Sequence, residues 1–370
     1  MTSSIQRLVL EKKAIMLIQA VFLLCGVASC LCLPSLTDRI TDQVVARVDT
    51  LAIEGSLTFD NENILETFKA FIVKRGRQYA NDEEIKERFE YFKQDGHKKH
   101  ERYGTSEFSD RSPEEILCKT GFKWSERTYE RIVADREKVE KMLMEVEKDG
   151  PVPDAWDWRK KNVTGPAGDQ AACGSCWAFS IAGMLEGQYA IKTGKLVEFS
   201  KSQLVECAKQ CSGCGGCDGL EQPIEYTHQA GLESEKDYPY RNGNGEKFKC
   251  AYDKSKVKLF TGKDFLYFNG SETMKKILYK YGPLSVGLNS HLIHFYNGTP
   301  IRKNDETCSP YDLGHAVLLV GYGKQDDIPY WLARNSWGPI GPDEGFFKIE
   351  RGNNACGIEQ IAGYATIDVV

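Results

Sequence analysis

The chain has 370 residues, of which 41% are hydrophobic, 11% aromatic and 27% charged, and its formal net charge is -5. This composition excludes a disordered or collagen-like chain and suffices for one sizeable globular unit with an appendage. Acidic residues slightly outnumber basic ones, 53 to 48, so the chain has no general positive field and no nucleic-acid partner is expected.

The N-terminal segment has the pattern of a secretory signal. Three basic residues precede an apolar run over residues 14–33, and small residues at 27–29 suit signal peptidase. We predict a signal peptide over residues 1–32 and a secreted or lysosomal destination. The alternative is an uncleaved membrane anchor, because the run approaches the ~20 apolar residues that span a bilayer.

Two further patterns fit an exported protein. The chain contains 13 cysteines, which favours an oxidising compartment. It also contains three Asn-x-Ser/Thr triplets, which are candidate glycosylation sites because export exposes such triplets to the glycosylation machinery. The triplets begin at Asn162, Asn269 and Asn297.

The next part of the chain predicts a helical appendage. Residues 33–60 are polar and unpatterned, which predicts a linker. Residues 61–150 are densely charged and carry apolar stripes at helical spacing, which predict amphipathic helices. The stripes are Ile64, Leu65, Phe68, Phe71 and Ile72; then Ile85, Phe89 and Phe92, with Asn81 as the cap; then Tyr129, Ile132, Val133, Val139, Leu143 and Val146. Gly150-Pro151 marks a helix stop and a domain boundary.

From residue 151 to 370 the composition shifts to glycine, aromatic residues and cysteine. Apolar positions after Cys176 follow helical spacing as far as Gly194, so Cys176 is expected at a helix N-terminus. Apolar runs at 315–320, 330–333 and 346–349 predict an antiparallel meander. The fold class is therefore α+β, with a helix-bearing lobe and a sheet-bearing lobe that flank a cleft.

The strongest local motif is Cys173-Gly174-Ser175-Cys176-Trp177. Cys-x-x-Cys alone also fits a redox pair, but a loop precedes it here, where a redox pair needs a strand. A tryptophan directly after the second cysteine, with His315 and Asn335 downstream in that order, has the spacing of papain-like enzymes.

On these residues the chain resembles the papain family of cysteine proteases, and within it the cathepsin F and cathepsin L branch, over about residues 57–370. The resemblance implies a papain-like two-lobe fold, with a helical left lobe and an antiparallel, barrel-like right lobe, preceded by a small α-helical prodomain. It implies a cysteine endopeptidase in which Cys176 is the nucleophile, His315 the general base and acid, Asn335 the residue that orients His315, and Gln170 part of the oxyanion hole. A helix N-terminus and a neighbouring imidazolium both favour a thiolate, which agrees with these roles. A catalytically silent binding or inhibitory protein is the alternative.

The resemblance also implies how such an enzyme is regulated and which molecules bind to it. Residues 61–150 would be a propeptide that crosses the cleft in a nonproductive direction, with cleavage between residues 145 and 154. Protein or peptide substrates, cystatin-like inhibitors and a monomeric state are implied, with no cofactor and no metal. The propeptide motifs match imperfectly, because Asp95 and Ser106 stand where asparagine is usual; the matching positions are Glu84, Arg88, Phe92, Gly104, Phe108 and Asp110.

The cysteines after residue 200 allow two interpretations. Cys207, Cys211, Cys214 and Cys217 have spacing that fits a zinc site, whereas an oxidising compartment favours disulfides. The family pattern implies the pairs Cys173–Cys214, Cys207–Cys250 and Cys308–Cys356, which leaves Cys211–Cys217 as an extra bridge. Exchange of Cys214 and Cys217 as the partner of Cys173 is the alternative.

The resemblance places the substrate contacts at small and apolar positions, which predict a preference for a bulky hydrophobic side chain in the second pocket. The positions are Gly216, Cys217, Asp218, Gly219, Gly287, Ala316, Trp337 and Ile361. Cys217 replaces a glycine that relatives usually carry, and Gly341 replaces a tryptophan. His291 and His294 match no family motif, so we predict no role for them.

Overall fold

The structure, a computed structural model, describes residues 36–59, 62–94, 105, 108–112, 115–116, 119–124, 126–303 and 308–370. The predicted signal peptide and the motif positions Asp95, Gly104 and Ser106 lie outside these residues. Within the described ranges, no helix has the length and apolar character needed to span a bilayer.

Three helices form the N-terminal bundle, which we call the helical prodomain: α1 (Leu36–Ile53), α2 (Glu62–Arg75) and α3 (Asp82–Gln94). The predicted helices over the second and third are confirmed. Asn81 caps α3 as expected, because its Oδ1 accepts the backbone N–H of Glu84 at 2.9 Å. The three helices pack around one apolar cluster, which includes Val48, Leu51, Phe68, Phe71, Ile72, Phe89 and Phe92.

The linker predicted over residues 33–60 is wrong for most of its length, because α1 occupies residues 36–53. Val44, Val48 and Leu51 recur at helical spacing and are buried, at 9%, 0% and 2% exposure. The apolar stripe is narrow and the rest of the helix is polar, so the segment as a whole is polar on average and its helical periodicity was overlooked. The helix is amphipathic and shares its core with α2 and α3.

The chain then passes through a short strand, β1 (Phe122–Lys123), and a long helix, α4 (Glu126–Lys148). The helix predicted from the stripe between Tyr129 and Val146 is confirmed. We call residues 119–124 the cleft segment. Its strand β1 pairs with the short strand Cys217–Asp218.

Residues 151–370, the body, contain two apolar clusters that correspond to two lobes. Their helices are α5 (Cys176–Thr193), α6 (Lys201–Cys207), α7 (Glu221–Ala230) and α8 (Ser271–Tyr281). Single 3₁₀ turns lie at Trp158–Lys161, Gly213–Gly215, Lys254–Lys256, His291–Phe295 and Ala355–Gly357. As predicted, α5 begins at Cys176 and ends at Gly194, whose backbone is left-handed with φ 72°.

An eight-stranded sheet organises the second lobe. Its strand order is β4-β5-β10-β6-β7-β8-β9, with β2 paired to β7. The strands are β2 (Trp156–Asp157), β4 (Leu232–Glu233), β5 (Val257–Phe268), β6 (Leu284–Leu288), β7 (His315–Gln325), β8 (Ile328–Arg334), β9 (Phe346–Glu350) and β10 (Ala362–Val369); β3 (Cys217–Asp218) lies apart and pairs with β1. The predicted meander is confirmed, because β7, β8 and β9 pair in antiparallel order.

Four disulfides cross-link the body: Cys173–Cys214, Cys207–Cys250, Cys211–Cys217 and Cys308–Cys356. These are the pairs that the family pattern implies, together with the extra bridge. The zinc interpretation does not fit, because each of its four cysteines is in a disulfide. Among the described residues no cluster of histidine, cysteine and acidic side chains is arranged to hold a metal.

Candidate active site

Cys176 occupies the first position of α5, and its thiol is the one free cysteine among the residues that the structure describes. The redox interpretation therefore does not fit, since Cys173 is bonded to Cys214. The thiol is fully buried next to the backbone of Ala316, the residue after His315. The start of the helix and the start of β7 thus meet where the two lobes join.

His315, Asn335 and Trp337 form a connected group in the second lobe. The imidazole Nε2 of His315 donates to Oδ1 of Asn335 at 2.8 Å. The same Oδ1 accepts the backbone N–H of Ser336 at 2.9 Å, which holds the amide in place. Trp337 lies tilted over His315 with ring centroids 4.8 Å apart, so it covers the His315–Asn335 hydrogen bond. The structure brings together the residues that the resemblance assigns.

Gln170 joins the loop before α5 to the strand ends of the second lobe. Its backbone N–H donates to the carbonyl of Ser336 at 2.8 Å, and its Oε1 accepts the hydroxyl of Ser336 at 2.6 Å. Its Nε2 donates to the carbonyl oxygens of Cys173, at 2.7 Å, and Lys119, at 2.9 Å. Lys119 belongs to the cleft segment, so this segment occupies the side-chain donor that the resemblance assigns to the oxyanion hole.

Burial controls the protonation of both reactive groups. It raises the pKa of the Cys176 thiol to about 11, and nearby backbone groups of Ala316 and Gly121 offset that effect only in part. It lowers the pKa of His315 to about 4, although the hydrogen bond to Asn335 acts in the opposite direction. Desolvation disfavours the charged form of each group. Burial therefore favours the uncharged form of both groups while the cleft segment covers them.

The cleft segment lies across the site in extended conformation. β1 runs parallel to β3, and the carbonyls of Gly121 and Lys123 accept the backbone N–H groups of Cys217 and Gly219, each at 2.8 Å. The fit is close at Gly121, because a Cβ there would lie 1.9 Å from the carbonyl oxygen of Gly174. Only glycine permits this approach of the two backbones.

Several of the eight positions at which the resemblance predicts substrate contacts lie around Phe122. Phe122 is 3% exposed and shares an apolar cluster with Cys217, Ala316 and Ile361. Its ring lies against Gly287, where an added Cβ would meet a ring atom at 2.4 Å. Gly216 and Gly219 flank β3, and Trp337 lies beside His315. Asp218 is exposed, and the residues that form the buried cluster around the Phe122 ring are apolar.

Sequence reasoning missed a histidine next to Trp337. His294 is 3% exposed, and its ring stacks on Trp337 with centroids 4.5 Å apart and an interplanar angle of 9°. Phe108, which precedes the cleft segment in the chain, packs edge-on against both rings, at 5.0 and 5.2 Å. Phe108, Trp337 and Gly341 line one small cavity. No motif marks His294, because its position depends on how the loop before β7 packs.

A buried ion cluster behind the site was also missed. Glu186 on α5 is 1% exposed and accepts from Arg334 on β8 and pairs with Lys201, each at 3.1 Å. Burial by itself would raise the pKa of Glu186, but Lys201 and Arg334 outweigh burial and hold that pKa below its ordinary value. Arg334 directly precedes Asn335, so the cluster fixes the strand end that carries Asn335 to the helix that carries Cys176. An acidic residue in the apolar repeat of α5 was the available signal.

Polar contacts tie the helical prodomain to the chain that leads into the cleft. Asp110 is 1% exposed and accepts from Arg77 and from the hydroxyl of Tyr79, each at 2.9 Å. Arg88 donates to Glu115 at 2.5 Å and to the carbonyl of Asp110 at 3.2 Å. The motif positions Arg88 and Asp110 therefore act together as a polar connection.

The comparisons with known proteins agree with this geometry. Residues 152–366 match the family described as papain family cysteine protease. Cathepsin F of Drosophila melanogaster is 33% identical over 318 residues, which cover 81% of this chain and 50% of that relative. A viral cathepsin of Adoxophyes honmai nucleopolyhedrovirus is 33% identical over 329 residues, 85% of this chain and 95% of the relative. The chain thus spans about half the length of the Drosophila relative.

Solved structures of precursor forms share the fold. A digestive procathepsin L2 proteinase from the larval midgut of Tenebrio molitor has a TM-score of 0.66 and 28% identity, covering 82% of this chain and 99% of that one. The ragweed pollen allergen Amb a 11, a cysteine protease in its proform, has a TM-score of 0.64 and 26% identity, covering 83% and 95%. The family match covers more than half of the chain and the relatives cover four fifths of it, so the chain belongs to the papain family of cysteine proteases.

Proposed function

We propose that the chain is the zymogen of a cysteine endopeptidase that hydrolyses peptide bonds through a thioester intermediate. The observation that carries the proposal is the position of the cleft segment, whose backbone covers the Cys176 thiol while Gln170 donates to its Lys119 carbonyl. A substrate in that place would present its carbonyl to the same two groups. Because β1 runs parallel to β3, we infer that a productive substrate pairs with β3 in the antiparallel direction.

We propose the following steps after the propeptide leaves. Water re-enters, the thiol proton passes to His315, and the Cys176 thiolate attacks the peptide carbonyl. The oxyanion is held by Nε2 of Gln170 and the backbone N–H of Cys176. His315 protonates the leaving nitrogen as the C–N bond breaks, which gives a thioester and a free amine. A water that loses its proton to His315 hydrolyses the thioester and restores the thiol.

The seat of Phe122 supports a preference for a bulky hydrophobic side chain in the second pocket. The ring is buried against Gly287, in a cluster that includes Ala316 and Ile361. Burial of an aromatic ring in such a seat contributes about 1.5–3 kcal/mol. We infer that substrates with phenylalanine or leucine at this position are cut faster than those with alanine.

The remaining assignments belong to the same proposal. A signal peptide over residues 1–32 directs the chain to a secreted or lysosomal compartment, and the propeptide runs from about residue 33, so as to include α1, to about residue 150. The enzyme acts as a monomer, and cystatin-like proteins inhibit it. Glycans attach to three asparagines that are all exposed, as attachment requires: Asn162, Asn269 and Asn297.

The test is to label the acid-processed chain with an epoxide inhibitor of cysteine proteases and to assay peptide hydrolysis. We expect one adduct, on Cys176, and loss of both adduct and activity in Cys176→Ala. In Gln170→Ala the adduct should still form, while kcat falls about 10²–10³-fold, since one oxyanion donor is lost. A processed, folded protein that forms no adduct and hydrolyses no peptide would support the silent binding or inhibitory protein instead.

A further inference from the structure

The long helix α4 contacts the body far from the residues of the cleft. Its 23 residues extend ~35 Å. One face is buried, with exposures of 1% at Thr128, 5% at Asp135, 6% at Val139 and 1% at Val146. These positions recur at helical spacing, so a single stripe faces the second lobe. Val139 belongs to the apolar cluster of that lobe.

The polar contacts in the middle of α4 close an open strand edge. Nη2 of Arg131 donates to the carbonyl of Phe265 at 3.1 Å, and Oδ2 of Asp135 accepts the backbone N–H of Tyr267 at 3.0 Å. Both backbone groups belong to β5. On its other side this part of β5 pairs with β10, whereas β4 pairs only with its first residues, 257–259. Arg131 and Asp135 therefore supply the partners that a neighbouring strand would supply.

Both ends of α4 are attached as well. At the N-terminal end, the hydroxyl of Tyr129 donates to Oε1 of Gln360 at 3.0 Å. At the C-terminal end, Lys276 on α8 donates to Glu147 at 2.8 Å and Lys280 pairs with Asp149 at 2.8 Å. These contacts lie on the surface, and each contributes little alone. Together with the buried stripe they hold the helix along its whole length.

We propose that α4 is a second anchor of the propeptide, independent of the cleft, whose binding surface is the open edge of β5 together with α8. The propeptide then stays bound after the chain is cut at residues 149–151, and its release requires α4 to leave this surface. The inference rests on the proposed function in one respect, that the retained propeptide blocks the enzyme. None of the contacts that hold α4 involves Cys176, His315, Asn335 or Gln170.

The experiment uses the full chain with Cys176→Ala, so that no self-processing occurs, and with a cleavage site for an added protease inserted between Gly150 and Pro151, which are both exposed. The insertion leaves Asp149 and its ion pair with Lys280 in place. After cleavage, size-exclusion chromatography measures whether the propeptide remains with the body. Hydrogen exchange measures the protection of the Tyr267 amide. We expect the cut propeptide to co-elute with the body and the Tyr267 amide to stay protected.

Two variants remove the anchor and one is its matched control. Val139→Lys places a charge in the buried stripe, and Asp135→Ala removes the acceptor of the Tyr267 N–H. Each should weaken retention of the cut propeptide about tenfold or more and expose the Tyr267 amide to exchange. Val133→Lys makes the same chemical change at a position of α4 that is 62% exposed, so it should behave like the parent.

Two outcomes would overturn the inference: the parent losing its propeptide on cleavage, or both anchor variants retaining it with a protected Tyr267 amide. Thermal unfolding of the uncut chains identifies a variant that does not fold, and Asp135→Ala then carries the test if Val139→Lys fails. The readouts need no catalysis, so they stay separate from the proposed activity, which is tested by peptide hydrolysis in the fully processed chain with Cys176 intact.

Discussion

The helical prodomain and the body are stabilised in different ways. The prodomain has one apolar core, in which Phe68 and Phe92 are fully buried, and its described residues contain no disulfide. The body has four disulfides and a buried ion cluster around Glu186. The body is thus covalently cross-linked, whereas the described residues of the prodomain depend on packing and ion pairs.

This difference suits the proposed zymogen, in which one part of the chain is lost and the other persists. A small core without cross-links is marginally stable, because little apolar surface offsets the loss of conformational entropy. Its connection to the cleft passes through ion pairs of Asp110 and Glu115 with arginines. We expect the body to keep its fold when that connection is lost, because its four disulfides remain. The following predictions test how independent the two regions are.

The largest expected effect is the loss of the prodomain core in Phe68→Ala. Phe68 is fully buried and contacts Phe71, Phe89 and Phe92, so truncation should cost about 3–5 kcal/mol of prodomain stability. Calorimetry of the Cys176→Ala chain should show an early transition that moves down while the later one stays. Val73→Ala, on the exposed side of α2, is the control. A single transition that moves as a whole would contradict the separation of the two regions.

The next effect is confined to the body. Removing the Cys207–Cys250 bridge with two alanines frees a loop with a sequence separation of 43, which should cost about 4 kcal/mol. Removing Cys211–Cys217, with a separation of 6, should cost about 2 kcal/mol. Denaturant unfolding of the later transition measures both. Equal costs would show that native-state packing, and not loop closure, determines the contribution of each bridge.

Gly121→Ala tests the connection between the two regions at the cleft. Its Cβ would collide with the Gly174 carbonyl, and such overpacking costs about 1–3 kcal/mol, which weakens the binding of the cleft segment about 5- to 150-fold. Hydrolysis of a small peptide substrate by the uncut chain at neutral pH should rise accordingly. Lys123→Ala, an exposed side chain of the same strand, should leave latency unchanged. Full latency in Gly121→Ala would mean that the cleft segment is not what blocks the site.

The smallest effect concerns pH. Burial would raise the pKa of Glu115, but Arg88, the Ser112 N–H and Arg111 outweigh it and lower that pKa to about 2. A lowered folded pKa stabilises the prodomain fully above the ordinary value near 4.5, and the contribution disappears as the pH falls toward 2. The melting temperature of the prodomain transition should therefore fall across this window in the parent.

In Glu115→Gln that transition should start lower at pH 7 and change less between pH 4.5 and 2. Glu83→Gln, an exposed position on α3, is the control and should keep the slope of the parent. Melting curves at several pH values, recorded on the Cys176→Ala chain, make the comparison. If Glu115→Gln and the parent have the same slope, other carboxyl groups govern the acid response of the prodomain.

Local patterns in the sequence predicted much of this architecture. The apolar runs of β7, β8 and β9 are visible because most residues of these strands are buried or half-buried. The stripes of α2, α3 and α4 are visible because buried positions recur at the helical period in these helices. The start of α5 at Cys176 followed from the same pattern. The helix α1 was missed because its narrow stripe is diluted by polar residues and is buried only by α2 and α3.

The residues of the candidate site also divide into those that the sequence predicted and those that it did not. Motif spacing pointed to Gln170, Cys176, His315 and Asn335, and the structure brings the four together across the lobes. Motif spacing did not point to the contact of Glu186 with Arg334, which are 148 residues apart, or to the stacking of His294 on Trp337. Contacts of this kind leave no periodic signal, because each partner lies on a different element.

The sequence by itself determined the chemistry available to this protein, since a cysteine at a helix start and a histidine and an asparagine in strand-rich segments are local features. Only the tertiary structure decided the state of that chemistry. The cleft segment lies next to Cys176 and His315 in the folded chain, where burial raises the pKa of the thiol and lowers the pKa of the imidazole. Desolvation depends on which distant segments come to cover a group, and those segments meet only when the chain has folded.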